Sequence, residues 1–277
     1  MDVESRINTL KTALKMSTQF ICEHCGVETA AVGGICMCSN CESMVLNHRD
    51  TVEKKDHLLL DALDRINRAI DNSDYQSAVS IYDSLVAERK DPPLMYAEAI
   101  LLLKYSNHEI GQIGYENPGF MEGNAVHREK ASKLVSLSKK LLTKSIGISK
   151  KEIAAGSGSL GLTYNLFLAQ VKLGMLRAAN STVDDLSKLG SGYAYSYSRM
   201  VLEAKREHYD NMMEIADTLA KTDSFSLNAF YYIGLGLFKK GRYAEAKRLL
   251  SQLQGLMKSG NLEALIFEAD AQLVIWK

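Results

Sequence analysis

Proline is scarce in this chain, with 3 in 277 residues, and tryptophan occurs once, at position 276. So little proline excludes a Pro-rich linker and a collagen-like class. A surplus of either charge is also missing, since Lys+Arg and Asp+Glu are both 33. A neutral chain is not one whose whole surface grips a polyanion, although a local patch is still open to it. No apolar run reaches the ~18 residues of a membrane helix, so a membrane partner is not expected. The opening MDVESRINTL is acidic and polar and does not read as a secretory signal, so the expected location is cytoplasmic. Cysteine is absent from the last 236 residues, so the chain is no disulfide-stapled scaffold.

The five cysteines all fall within residues 22–41, as Cys22, Cys25, Cys36, Cys38 and Cys41. Four of them form C-x2-C, a spacer of 12 residues, then C-x2-C. Two short knuckles at that spacing can offer four thiolates to one tetrahedral ion. The metal ligands expected are Cys22, Cys25, Cys38 and Cys41, with Cys36 as an alternative ligand. Short strands are expected at Gln19–Cys22, Val27–Ala31, Gly34–Met37 and Ser43–Leu46, with a hairpin turn at Gly33-Gly34. Residues 19–47 resemble a zinc ribbon, which implies structural Zn2+. The segment departs from that pattern in lacking a glycine after Cys41 and in carrying the spare Cys36. A redox dithiol would need a helix N-terminus and a thioredoxin-like context, and neither is visible. Four thiolates leave no open position for catalysis, so the metal is expected to stabilise a segment too small to fold alone.

The remainder is helical. Residues 1–18 place Val3, Ile7, Leu10 and Leu14 on one face, and 52–70 continue with Leu59, Leu63, Ile66 and Ile70. Beyond that point no strand pattern is evident. The breaks between helices recur. SDYQSAVSIYDSL, GMLRAANSTVDDL, EHYDNMMEIADTL and GRYAEAKRLLSQL each begin with a turn and then an apolar anchor: Tyr75, Leu176, Tyr209 and Tyr243. The last two intervals are 33 and 34 residues, and the first, 101, is about three periods.

That period, with Phe230, Ile233, Gly234 and Leu237 followed by Tyr243, Ala246, Leu250 and Leu253, resembles the tetratricopeptide repeat (TPR). The fold class expected is mainly α: a right-handed TPR-like α-solenoid of about five hairpins over residues 50–277, preceded by a small β zinc ribbon. Small residues at Gly234 and Ala246 would let paired helices approach closely. Pro92-Pro93 ends the first unit. Helices are expected at Leu94–Tyr105 and Ala125–Leu142, separated by a long loop, 107–124. A C-terminal capping helix is expected at 261–276.

The resemblance implies that first helices line a concave groove. In register it sets Tyr164, Tyr197 and Tyr231 on that face, Leu168, Val201 and Leu235 one turn on, and Lys172, Lys205 and Lys239 near the turn. Such a surface suits a protein partner presenting an extended or helical acidic peptide. The competing reading is a groove filled by the chain's own N-terminal helix or by a second copy in a homodimer. The Lys and Asn of a chaperone-tail clamp are replaced here by Tyr and Leu.

A second candidate surface is basic. Arg128, Lys130, Lys133, Lys139, Lys140, Lys144, Lys150 and Lys151 give residues 128–151 a charge of +7. An amphipathic helix over 127–151 could meet phosphates of nucleic acid or the ribosome, or be a solvated face. Gly156, Gly158 and Gly161 match G-x-G-x-x-G, but no strand precedes them, so they read as a linker with Ser157 or Ser159 as helix cap. His108 and His127 flank the long loop and are the one pair placed to meet. No nucleophile, base or cofactor cradle is visible. The sequence therefore reads as a non-enzymatic cytoplasmic scaffold, with an RNA- or ribosome-associated factor as the alternative.

Overall fold

The computed structural model describes residues 2–22, 24–25, 28–32, 35–38, 40–46, 56–113, 121–221, 225–254, 256 and 260–275. The chain forms two compact units. One comprises Met1–Cys22, Val27–Lys54 and Leu176–Lys277; the other comprises Glu23–Gly26 and Lys55–Met175. Helices dominate both. Expectations at Gly33-Gly34, Tyr115, Phe120 and Trp276 lie outside the described residues.

The second unit carries helices α2 (His57–Asp71), α3 (Tyr75–Arg89), α4 (Pro92–Gly111), α5 (Met121–Glu152) and α6 (Leu160–Lys172). Helix α4 starts with Pro at its first turn, where a missing N–H costs nothing. Its pairing with α5 is close because α5 turns small serines toward it. Ser138 Oγ donates to the Ala99 carbonyl at 2.9 Å, Ser145 Oγ to Pro92 at 3.1 Å, and Ser106 Oγ on α4 donates back to Ala131 at 3.1 Å. The side chains of Ser138, Ser145 and Ser149 are fully buried.

Two expectations fail here. The loop over 107–124 is much shorter, because α4 continues to Gly111 and α5 begins at Met121. The helix expected at Ala125–Leu142 runs on to Glu152, which takes in the whole basic stretch expected as a helix over 127–151. After it, residues 153–157 make one wide turn ending the run, with Gly156 at φ 83°. Ser159 then caps α6, its Oγ accepting from the Leu162 N–H at 3.1 Å. This is the linker and cap read from the glycine motif.

The first unit holds α1 (Val3–Met16), four short strands, and helices α7 (Leu176–Lys188), α8 (Gly192–Lys205), α9 (Tyr209–Leu219), α10 (Leu227–Lys239), α11 (Tyr243–Ser251) and α12 (Gly260–Ile275). Strands β1 (Thr18–Ile21) and β2 (Glu28–Val32) are antiparallel, with Thr18 opposite Ala31. Strands β3 (Ile35–Met37) and β4 (Met44–Leu46) form a second antiparallel pair. A fifth strand, β5 (Phe225–Ser226), adds to β2 just before α10. It corrects the expectation of no strand beyond residue 70: a two-residue pairing with a segment about 190 positions away leaves no local alternation to read. Helix α1 buries Val3, Ile7 and Leu10. It packs on α11, and Arg6 grips Asp217 of α9 through Nε at 2.9 Å and Nη2 at 2.6 Å. It thus rests on second helices, not in a groove of first helices.

The helices turn back in the same way at four places. Ser73, Gly174, Glu207 and Gly241 all adopt left-handed backbone, with φ from 60° to 74°. At each, the next N–H reaches five residues back: Asp74 to Ala69, Met175 to Gln170, His208 to Glu203 and Arg242 to Leu237, all at 2.8–3.0 Å. This is the helix C-cap that glycine favours and other residues tolerate at a cost. The anchors Tyr75, Leu176, Tyr209 and Tyr243 each follow that turn residue by two positions. The period in the sequence is thus the period of one turn geometry.

Close approach within a hairpin is sharpest at α10–α11. A Cβ on Gly234 would lie 2.4 Å from Leu250 Cδ2 and 2.6 Å from its Cγ. Leu250 is itself fully buried and has no room to yield. A Gly-to-Ala change in a free helix gains about 1 kcal/mol. Here Gly234→Ala should instead destabilise by roughly 1–3 kcal/mol through overpacking. Urea unfolding checks this; a stabilised variant would show that the helices can separate freely.

Candidate functional site

The cysteine segment comes together as its spacing implied. The Sγ atoms of Cys22, Cys25, Cys38 and Cys41 all lie within 4.8 Å of one another, and all four residues are buried. Cys22 Sγ and Cys41 Sγ are 3.8 Å apart. That is too long for a disulfide and equals the edge of a tetrahedron with arms of about 2.3 Å, the Zn–S distance. The Asn40 N–H approaches Cys38 Sγ at 3.4 Å, the contact that steadies a thiolate. Helix side chains hold the backbone of the knuckles. Asn67 donates to the Cys25 carbonyl at 3.1 Å and the Tyr82 hydroxyl to the His24 carbonyl at 3.0 Å. Asn228 donates to the Cys38 carbonyl at 3.1 Å. Four sulfurs without a nearby carboxylate in the set suit a soft ion and disfavour a hard one. Cys36, the alternative ligand, sits in β3 opposite Val45, and its side chain lies outside the described residues.

The tyrosine ladder is not a surface. Tyr164 and Tyr197 are fully buried, and Leu168 and Val201 are buried with them. Tyr164 packs at 5.9 Å from the Phe167 ring, and Tyr197 meets Tyr232 edge-on at 6.3 Å. Tyr231 keeps partial exposure, yet burial, with Glu42 and Glu268 nearby, pushes its hydroxyl up to about 12. Glu42 belongs to the second knuckle, so the cysteine segment itself reaches the face of α10 that Tyr231 and Tyr232 present. Lys172, Lys205 and Lys239 are exposed as the register implied. A partner peptide cannot touch the two buried tyrosines, which corrects their assignment as groove contacts.

The basic helix is a surface. Arg128, Lys130, Lys133, Lys139, Lys140, Lys144, Lys150 and Lys151 are all exposed on α5. Lys130 is engaged, 2.9 Å from Glu109 and 4.7 Å from the centre of the Tyr105 ring. Lys133 pairs with Glu129. His127 also reaches Glu109, at 2.6 Å, while His108 stacks on Tyr75 at 5.0 Å. The two histidines share a neighbourhood but serve different partners, so no second site forms between them.

Among the described residues, three glutamates are at least 95% buried: Glu98, Glu109 and Glu203. Two are answered. Burial raises Glu109 and Glu203, but Lys130 and His127 for the first, and His208 and Arg206 for the second, outweigh it and hold both carboxyls below the usual range. Glu98 is the exception. Burial comes first, and the hydrogen-bonded carboxyl of Asp83 adds to it; together they push Glu98 up to about 8 against a weaker pull from Lys144. Its Oε2 has no hydrogen-bond partner. Glu98 forms the floor of a cavity of about 210 Å3, with Asp83 on α3 and Lys140 and Lys144 on α5 beside it. Sequence reading missed this glutamate because an acidic residue in a helix reads as solvated. The available signal was its neighbours: MYAEAILLL surrounds Glu98 with apolar residues on every face.

No protein-family profile matches the chain. A curated relative does. The mitochondrial fission 1 protein of Chaetomium globosum is 28% identical over 109 residues, covering 38% of this chain and 68% of that protein. The chain is thus a mainly helical protein built of paired helices, similar in part to that fission protein.

Two outcomes follow from these placements. Tyr197→Ala should cost about 3–5 kcal/mol of stability, the usual cost of emptying a buried aromatic site; a variant that unfolds like wild type would return this residue to the surface. For Glu98, the carboxyl titrates near 8 when folded and near 4.5 when unfolded. Between those values only the unfolded chain loses the proton, so stability falls as pH rises through that window. Glu98→Gln should therefore match wild type near pH 4.5 and exceed it by a few kcal/mol above pH 8. Urea titrations at both ends of the window decide it.

Proposed function

We propose that the chain is a non-enzymatic cytoplasmic adaptor: a right-handed TPR-like array of helical hairpins that binds a protein partner, joined to a zinc ribbon that is structural. The observation that carries the adaptor reading is the recurring hairpin turn, one geometry at four places, combined with partial similarity to a mitochondrial fission protein. Hairpin arrays expose long, regular helical surfaces and bind through them. Nothing among the described residues assembles a nucleophile with a base, which is why the reading is binding and not catalysis.

Zinc fits the four-sulfur geometry. Cys22, Cys25, Cys38 and Cys41 would hold it, and the bound ion supplies a cross-link in a segment with few apolar residues to bury. All four positions being thiolates, no water would be activated there. The ribbon residues keep the short strands in register: β1 and β4 bracket the outer cysteines, and the Asn and Tyr donors fix the knuckle carbonyls.

The adaptor reading is tested by recovering the tagged chain from its native lysate with nuclease present, then identifying what is bound in stoichiometric amount. A protein that survives nuclease and high salt supports it; recovery of RNA-dependent material alone overturns it. The ribbon reading is tested on the purified chain. Zinc content should be one per chain, and Cys25→Ser or Cys38→Ser should abolish it. Because folding and binding are coupled in such segments, metal loss should also lower the melting temperature while most helical signal persists. A stable, metal-free wild-type chain would rule the ribbon out.

A further inference from the structure

The cavity over Glu98 lies in a cleft with helical walls. Val79 and Asp83 come from α3, Leu102 and Glu98 from α4 below, and Leu137, Lys140, Leu141 and Lys144 from α5. The arrangement follows from the hairpin order: α4 packs on both α3 and α5, so those two flank it and leave a trough between them. Val79, Leu102 and Leu141 also belong to a small apolar cluster with Tyr75, Tyr105 and Leu134.

Two observations mark the cleft as built to receive something. Leu137 is 48% exposed at its lip, on a helix that elsewhere turns leucine inward. Lys140 and Lys144 stand on the α5 side, both exposed, and Lys151 continues the same stripe at helical spacing. Neither Lys140 nor Lys151 has an ion pair among the described residues, whereas Lys130 and Lys133 do.

The chemistry of an occupant follows. The walls Val79, Leu102, Leu137 and Leu141 ask for an apolar group, and about 210 Å3 is room for one large side chain. The lysines ask for carboxylates and repel a cationic partner. A polyanion alone would satisfy the lysines but leave the apolar walls unanswered. We propose that this cleft is the partner-binding site of the adaptor, taking an acidic amphipathic segment of a protein. One apolar side chain enters between Leu137 and Leu102, and the segment's carboxylates pair with Lys140 and Lys144. The proposal rests on the adaptor reading and supplies that reading with a site.

The test selects peptides from a random 16-residue phage library on the full chain, then measures the enriched peptides by fluorescence anisotropy. The proposal expects sequences with an apolar anchor flanked by Asp or Glu. Leu137→Asp and the double variant Lys140→Glu/Lys144→Glu should each weaken binding by at least about tenfold. These are exposed positions, and circular dichroism confirms that the variants fold. Basic consensus sequences, or no enrichment at all, overturn the proposal. So does acidic binding indifferent to Leu137→Asp and displaced by a random-sequence 20-nucleotide RNA, which would mark a polyanion surface. Enriched peptides that ignore all the cleft variants would overturn the cleft while leaving the adaptor reading standing. If no stoichiometric protein survives nuclease in the lysate experiment, the adaptor reading fails on its own.

Discussion

A left-handed residue at the end of a helix governs the rest of this molecule. When Ser73, Gly174, Glu207 or Gly241 takes positive φ, the chain reverses within three residues, and the next N–H is satisfied by a carbonyl five back. At Ser73, Glu207 and Gly241, where both helices belong to one unit, that bond fixes the angle at which the second helix leaves. The angle determines which face of the first helix is covered, and the covered face must be apolar. Two of the four turns use residues other than glycine and accept the conformational cost, because the bond and the packing that follow exceed it. Everything placed on the hairpins inherits this geometry, including the buried tyrosines and the trough beside α4.

How tightly the paired helices then meet is decided by small side chains, by two different means. In α10–α11 a missing Cβ at Gly234 admits Leu250. In α4–α5 serines are small and also donate to carbonyls of the facing helix. The second means conceals itself. Ser138, Ser145 and Ser149 occupy the core face of α5, where periodicity analysis looks for leucine. Beyond Leu142 the core face therefore alternates serine with Ile146, and the apolar pattern thins although the helix goes on to Glu152.

The same reasoning separates what was legible in the sequence from what was not. Hairpin turns are local, and their 33- and 34-residue spacing is visible in a single chain. The cysteine group is legible because metal-type spacing is short and chemically narrow. The end of α4 was not legible: Asn107, His108 and Glu109 look like loop residues until Lys130 and His127 are seen to answer Glu109. Strand β5 depends on a partner far away in sequence. The tyrosines misled for another reason. A repeat register assigns a residue to a face, but whether that face is open depends on what else the chain lays over it. Glu42 near Tyr231 and Tyr232 shows the cysteine segment doing so at α10.

The buried glutamates show why one position carries a functional argument and two do not. Glu109 is met by Lys130 and His127, and Glu203 by Arg206 and His208, so the burial of both is answered. Such carboxylates are fixed points of a fold: removing a partner would strand a charge. Glu98 has comparable burial, but its nearest acidic or basic company is Asp83, which repels its ionised form, and Lys144 at the rim. A core position under purely structural constraint would be better served by the leucines and alanines that surround it in α4. Keeping a carboxyl there, with one oxygen unanswered, costs stability that packing does not return. The lysines that line the same cleft from α5 favour a partner that arrives with negative charge.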